Sequence, residues 1–336
     1  MTPTPSQPER PALRCVVVTG PTASGKTRIA VALARTFNGE IVSADSRQVY
    51  RGLDIGTGKD LDEYVAGGAP VPYHLINIVG LDEDYSLYRY KQDATAALRG
   101  VAAAGRQPIL CGGSPLYVNA LLADYRLEGG GENPDLRARL APLSDSDLDE
   151  RLRRQAPDLH ARTDTTQRRR VIRGLEIAAS RTRHTPPGEA MPPLRLDTLI
   201  LAPYYPRAVM HERIRTRLEA RLRQGLIEEV QRLHDSGVPW ERLDFLGLEY
   251  RWVARHLKGE LSRDEMTERL LAAIRRFCKG QDAWFRKMER EGRAIHWLPE
   301  GDLRLATERV GRFLRGQPLP PPSLRLCDTL YGPRSQ

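Results

Sequence analysis

The sequence predicts an α/β protein, a parallel sheet flanked by helices, carrying an all-helical insertion. Three observations carry this expectation. Short β-branched runs alternate with helically spaced ones from Cys15 to Gly113, and strand–helix–strand alternation implies parallel pairing with right-handed crossovers. The stretch GPTASGKT, residues 20–27, has the spacing G-x-x-x-x-G-K-[ST] between a strand and a helix, which makes the sheet P-loop-type. From 124 to 184 no strand signal appears, while polar helical segments follow one another.

Taken in order, CVVVT (15–19) is short and β-branched, and KTRIAVALARTF (26–37) has helical spacing. EIVSAD (40–45) and HLINIV (74–79) read as strands, 88–105 as a helix ending at Gly105, and QPILCGG (107–113) as a strand. Gly129–Gly131 and Pro134 mark entry into the insertion, whose pieces are DLRARL, SDLDERLRRQ and TQRRRVIRGLEIAAS. The strand LDTLILAP (196–203) follows a Pro-rich stretch. The run 210–237 then reads as one long helix closed by Gly237, with further helices to about Trp297. The expected division is a core of 14–123 and 185–316, an insertion of 124–184, and flexible ends at 1–13 and 317–336.

A chain of 336 residues buries ample core. Its net charge is +9, and only six of its 52 basic residues are lysine. Arginine forms the bidentate fork that suits phosphate, so the balance favours a polyanionic partner. Between Arg151 and Arg183, ten arginines face three acidic residues, a patch suited to a nucleic-acid backbone with salt-sensitive binding. The four cysteines have no paired spacing, which excludes a zinc ribbon and disfavours a disulfide framework. The N-terminal stretch lacks the apolar segment of a secretory signal, and no apolar run is long enough to span a bilayer. A cytoplasmic, non-membrane monomer is the expectation.

The segment from Gly20 to Thr27 is a phosphate-binding loop. Gly20 and Gly25 let backbone N–H groups face an anion, and the helix N-terminus adds its partial positive charge. Lys26 reaches terminal phosphate oxygens, and the Thr27 hydroxyl suits Mg²⁺. The loop alone leaves phosphoryl transfer open. However, the strand QPILCGG ends without the metal-positioning Asp of P-loop ATPases. Asp45 lies at the carboxyl end of the second strand, on the rim where such sheets bind ligands. A metal ligand, a proton acceptor and a turn-capping Asp are all open to it.

GPTASGKT followed by DSRQVYRGLDIGTGK resembles the tRNA dimethylallyltransferases. Further similar stretches occur in order: AAGRQPILCGGSPLYVNALL, DTTQRRRVIRGLEI, HERIRTRLEARLRQGLIEEV, FLGLEYR and CKGQDAWFRK. The resemblance implies that Gly20, Pro21, Thr22, Ala23, Ser24, Gly25, Lys26 and Thr27 hold dimethylallyl diphosphate, with Mg²⁺ on Thr27. The diphosphate is then the leaving group, and the acceptor is the exocyclic amine of the adenosine 3′ of the anticodon. By matching position, Asp45 is the general base, Arg217 contacts the diphosphate, and Ser114 supplies a hydroxyl beside it. Asp45, Ser46, Arg47 and Gln48, with Gln167, Arg168, Arg169, Arg170 and Val171, are the implied contacts to the tRNA anticodon arm, Val171 by backbone or packing only. His74 and His211 match family positions and read as structural hydrogen-bonding residues.

By helical spacing alone, Arg217 belongs to a solvated face together with Arg213 and Arg221. The chain departs from the family pattern at Ser114-Pro115, at Gly58 and Asp60, at Glu249 and at Gly280. Two rival activities are prenylation of a free adenine nucleotide and phosphoryl transfer by a small-molecule kinase. The basic insertion disfavours the first, and the strand ending in Cys-Gly-Gly disfavours the second.

Overall fold

The structure, a computed structural model, describes residues 12–123, 133–182 and 194–328. Its first part comprises β1 (Leu13–Thr19), α1 (Lys26–Thr36), β2 (Gly39–Ser43), α2 (Asp62–Val65), β3 (Tyr73–His74), α3 (Leu87–Ala103), β4 (Gln107–Gly112) and α4 (Pro115–Leu122). Four helices follow: α5 (Pro134–Leu140), α6 (Asp145–Gln155), α7 (Pro157–Arg162) and α8 (Arg168–Thr182). After β5 (Leu196–Tyr204) come α9 (Arg207–Arg223), α10 (Leu226–Asp235), α11 (Trp240–Leu246), α12 (Leu248–Leu257) and α13 (Arg263–Arg290). The last elements are β6 (Ile295–Pro299) and α14 (Leu303–Leu314).

The six strands form one parallel sheet in the order β3-β2-β4-β1-β5-β6. β1 is apolar on both faces, as a strand covered by helices on either side must be. Its side chains alternate with period two: Cys15 and Val17 join one apolar cluster, Val16 and Val18 the other. All four are fully buried, which stabilises the fold by about 2 kcal/mol per valine. Ile29, Leu33, Val310 and Phe313 cover one face, from α1 and α14. Tyr90 and Leu98 of α3 and Ile214 and Leu218 of α9 belong to the cluster on the other. The insertion has a third cluster of its own, with Leu140, Leu148, Leu152, Val171 and Leu175.

Several elements differ from expectation. The strand expected over 74–79 stops at His74, because Leu75 and Asn77 adopt left-handed φ of 63° and 59° and leave the pleat. The long helix expected over 210–237 is two helices, parted where Gly225 takes φ 98°. The region read as further helices to about Trp297 also contains β6, which pairs with β5 at the sheet edge. The segment 317–328, expected to be flexible, is tied down. Arg309 donates to the Pro320 carbonyl at 2.9 Å, and Glu289 accepts the Cys327 N–H at 2.7 Å. Residues 1–11 and 329–336 lie outside the described residues, as does the Pro-rich stretch before β5. No described helix is long and apolar enough to cross a membrane.

Candidate active site

The carboxyl ends of β1, β2 and β4 open into a cavity of about 780 Å³, closed on its far side by α9, α11, α12 and α13. The phosphate loop forms its floor. Gly25 precedes α1 with φ 82°, and Ala23 takes φ 60°, two left-handed residues that give the loop its tight turn. Thr22, Ala23, Gly25, Lys26 and Thr27 line the cavity. Gly20, Pro21 and Ser24 stand behind them. The Pro21 carbonyl accepts from Lys26 Nζ at 3.2 Å, and the buried Ser24 backs onto Gly20. Burial pushes the Lys26 ammonium below its ordinary pKa and nearby Arg217 adds to this, while Asp45 and Asp60 oppose it.

A residue without a sequence-derived role holds this loop. Gln281 of α13 accepts the Thr22 N–H at 2.8 Å and donates to the Gly113 carbonyl at 2.6 Å. One buried side chain therefore clamps the phosphate loop to the end of β4. A capping box fixes the start of the 28-residue helix, in which Ser262 accepts the Glu265 N–H and Glu265 accepts the Ser262 N–H. The signal for Gln281 is a polar residue at core spacing among Ile274, Cys278 and Phe285.

Asp45 follows β2 and lines the cavity. Its Oδ1 accepts the Arg47 N–H at 2.9 Å, so the turn-capping use is realised while the carboxylate also faces the site. Ser114 stands at the N-terminus of α4, but its hydroxyl does not cap that helix. It accepts the Ser46 N–H at 3.0 Å and ties the Asp45 loop to β4. Gln48 Nε2 donates to the Gly58 carbonyl at 3.1 Å. His74 Nε2 and Glu40 Oε2 lie 2.8 Å apart, a structural contact.

On α9, Arg213, Arg217 and Arg221 recur every four residues on one face, and that face is the cavity wall. This corrects the solvated reading of Arg213 and Arg221: a helix face can be polar because it borders a charged cavity. Arg213 Nε donates to the Ala23 carbonyl at 2.9 Å, and its guanidinium lies 4.4 Å from the Tyr205 ring centroid. Arg217 pairs with the Asp60 carboxylate. Arg221, 7% exposed, pairs with Glu249 at 3.0 Å and donates to the Gly56 carbonyl at 3.2 Å. Burial lowers the Arg221 pKa and Arg217 adds to this; Glu249 opposes it.

The facing loop, 54–60, is rigid for a visible reason. Glu229 of α10 accepts three backbone N–H groups, from Asp54, Ile55 and Gly56, and the Tyr250 hydroxyl at 2.6 Å. Lys59 is buried with its ammonium on Asp54 at 2.6 Å, the Tyr50 carbonyl at 2.8 Å and Asn77 Oδ1. Gly58 takes a left-handed φ of 57°, and a Cβ there would displace the ends of the Arg217 and Arg221 side chains. Glu229 and Lys59 both escaped the sequence reading.

The insertion stands apart from this cavity: none of residues 133–182 lines it. Much of its charge is internally compensated. Arg168 pairs with Asp145 at 2.6 Å and Arg170 with Asp164 at 2.9 Å, while Gln167 donates to Asp164 at 3.1 Å. Val171 is buried in the insertion's own core. Arg153, Arg154 and Arg169 are exposed and carry no ion pair among the described residues. Glu176 is the buried counter-ion of the bundle. Burial raises its carboxyl, but bonds from Arg137, the Asn133 N–H and Arg173 outweigh this and hold the pKa below its ordinary value.

A parallel sheet with a loop of P-loop spacing at its carboxyl edge, opening into a deep arginine-walled cavity, defines a P-loop-type α/β protein. The IPP transferase profile matches residues 48–288 and the isopentenyl transferase profile residues 13–71. The chain belongs to the IPP transferase family. It is 48% identical over 287 residues to tRNA dimethylallyltransferase 1 of Geotalea uraniireducens, spanning 85% of this chain and 92% of that protein. It is 49% identical over 283 residues to tRNA dimethylallyltransferase 2 of Syntrophotalea carbinolica, spanning 84% and 93%. The crystal structure of the tRNA isopentenylpyrophosphate transferase of Bacillus halodurans matches with a TM-score of 0.64 at 30% identity, over 90% of this chain and 96% of that one. A eukaryotic dimethylallyltransferase acting on tRNA shares the fold, with a TM-score of 0.76 at 22% identity over 92% of this chain and 81% of that one.

Proposed function

We propose that this chain transfers a dimethylallyl group from dimethylallyl diphosphate to the exocyclic amine of the adenosine 3′ of the anticodon in tRNA, releasing diphosphate. The observation that carries the reading is one cavity holding the phosphate loop, Arg217 and Asp45 together. The backbone N–H groups of the loop and Lys26 grip the diphosphate, and Arg217 exchanges its Asp60 partner for a phosphate oxygen. The allylic C–O bond breaks with its electron pair leaving on the diphosphate. The amine nitrogen bonds to the freed carbon, and Asp45 takes the proton that the nitrogen sheds. β4 ends in Cys111 and Gly112, without a carboxylate to run phosphoryl transfer.

The oxygen donors fit a hard divalent cation such as Mg²⁺. The Thr27 hydroxyl and the Asp45 and Asp60 carboxylates share the cavity, and no described group of three His, Cys, Asp or Glu forms a protein-only cage. This suits an ion held by one or two protein oxygens and by substrate phosphates, which when bound supplies positive charge against the leaving group. The exposed Arg153, Arg154 and Arg169 offer phosphate contacts for the acceptor RNA.

The test uses labelled dimethylallyl diphosphate, Mg²⁺ and tRNA lacking the modification, with digestion to nucleosides. Label should appear on adenosine and fall at least about a hundredfold in Asp45→Ala, the usual scale for losing a general base. Label on added AMP in preference to tRNA, or on no acceptor, overturns the reading.

A further inference from the structure

At the rim of the cavity an apolar ring stands in water. Phe245 of α11 lines the cavity, yet is 51% exposed. A single exposed apolar side chain is ordinary on a surface, and what sets this ring apart is its place in the cavity lining with cations beside it.

Two arginines frame it. The guanidiniums of Arg47 and Arg242 each lie 5.2 Å from the Phe245 ring centroid, within cation–π range. Arg242 is locked by the Leu81 carbonyl at 2.6 Å, the Asp84 carboxylate at 2.6 Å and the Glu83 carbonyl. Arg47 has no ion pair and no side-chain hydrogen bond among the described residues. Its backbone N–H is held by Asp45, the proposed proton acceptor. An arginine partly withdrawn from water, near the Asp45 carboxylate but bonded to no carboxylate, keeps its donors open to an anion. Burial also lowers the Arg47 pKa.

A single-stranded nucleic acid presents just these two features at a regular spacing, a flat base and a phosphate. An allylic donor carries its charge on the diphosphate, which the phosphate loop holds at the cavity floor.

We infer that Phe245, framed by Arg47 and Arg242, is a stacking platform for a nucleobase adjacent to the adenosine drawn into the cavity, with Arg47 on the connecting phosphate. The platform braces the strand on one side while the target base is turned out of the stack. This rests on RNA being the acceptor, as proposed above.

The test compares wild type, Phe245→Ala, Phe245→Leu and Phe245→Trp in two measurements. One is direct binding of an anticodon stem-loop RNA at two salt concentrations. The other is the separate KM values for tRNA and for dimethylallyl diphosphate. Loss of one base stack weakens binding roughly tenfold. Phe245→Ala and Phe245→Leu should therefore raise the RNA Kd and the tRNA KM by about that factor, with the diphosphate KM unchanged. Phe245→Trp should retain wild-type values. The salt dependence should keep its slope in all four proteins, since no phosphate contact is lost.

Rescue by Leu as fully as by Trp overturns stacking. A rise in the diphosphate KM alone assigns the ring to the donor and overturns the platform. Unchanged values for Phe245→Ala overturn it outright while leaving the transferase reading intact. A wild-type protein that neither binds nor prenylates the RNA overturns the transferase reading, and the platform with it.

Discussion

Glu249 and Asp60 show how single side chains set the charge of this cavity. Each neutralises an arginine on α9 that would otherwise face it bare: Glu249 on Arg221, Asp60 on Arg217. The two pairs differ in their water. Arg221 is buried, so removing its partner leaves an uncompensated charge in a low dielectric, whereas Arg217 remains part-exposed. Glu249→Gln should therefore destabilise the protein by about 3 kcal/mol in urea unfolding, with the 54–60 loop loosened first in hydrogen exchange. At this scale the sequence was read unevenly. GPTASGKT was legible because its chemistry depends on backbone and spacing. Asp45 and Arg217 were singled out only through the family motifs around them, since a carboxylate after a strand and an arginine on a helix each have several uses; both line the cavity. Arg213 and Arg221 were misplaced because helical periodicity marks a polar face without saying whether solvent or a charged cavity lies beyond it.

The helix α13 gathers its functional contacts on one stripe. Gln281 clamps the phosphate loop, Phe285 enters the core, and Glu289 accepts from Trp297 and from the Cys327 N–H. Gln281→Leu should free the Thr22 N–H and strand the Gly113 carbonyl. The expected loss is about 2 kcal/mol of stability, with a rise in the KM for the allylic diphosphate larger than the fall in kcat. Steady-state kinetics with saturating tRNA would read the split. Strand–helix alternation made β1, β2, β4 and β5 legible, with their ends within a residue or two. β6 was not, because IHWLP is five residues long and follows a helix of 28. β3 was overextended because left-handed backbone at Leu75 and Asn77 leaves no trace in an apolar run.

The whole molecule is closed by contacts that cross the sheet edge. His296 on β6 accepts from Arg309 on α14 at 3.2 Å, and Arg309 also donates to the Pro320 carbonyl. Burial, with Arg309 adding to it, lowers the His296 pKa from 6.5 to about 4. The folded state thus binds fewer protons than the unfolded chain between these values, so stability is present at neutral pH and lost as pH falls from 6.5 toward 4. The loss reaches up to about 3 kcal/mol. His296→Gln, which keeps an acceptor but does not titrate, should flatten Tm over that window; an unchanged slope would remove His296 from the account. Strand order acts in time as well as in space. Leu13 pairs with Leu196, so β1 is synthesised long before its neighbour β5, and the insertion is made between them. Until β5 arrives, β1 offers another nascent chain an open apolar edge. The segment translated meanwhile carries ten arginines against three acidic residues between Arg151 and Arg183, and this excess of one sign repels like chains and opposes such pairing.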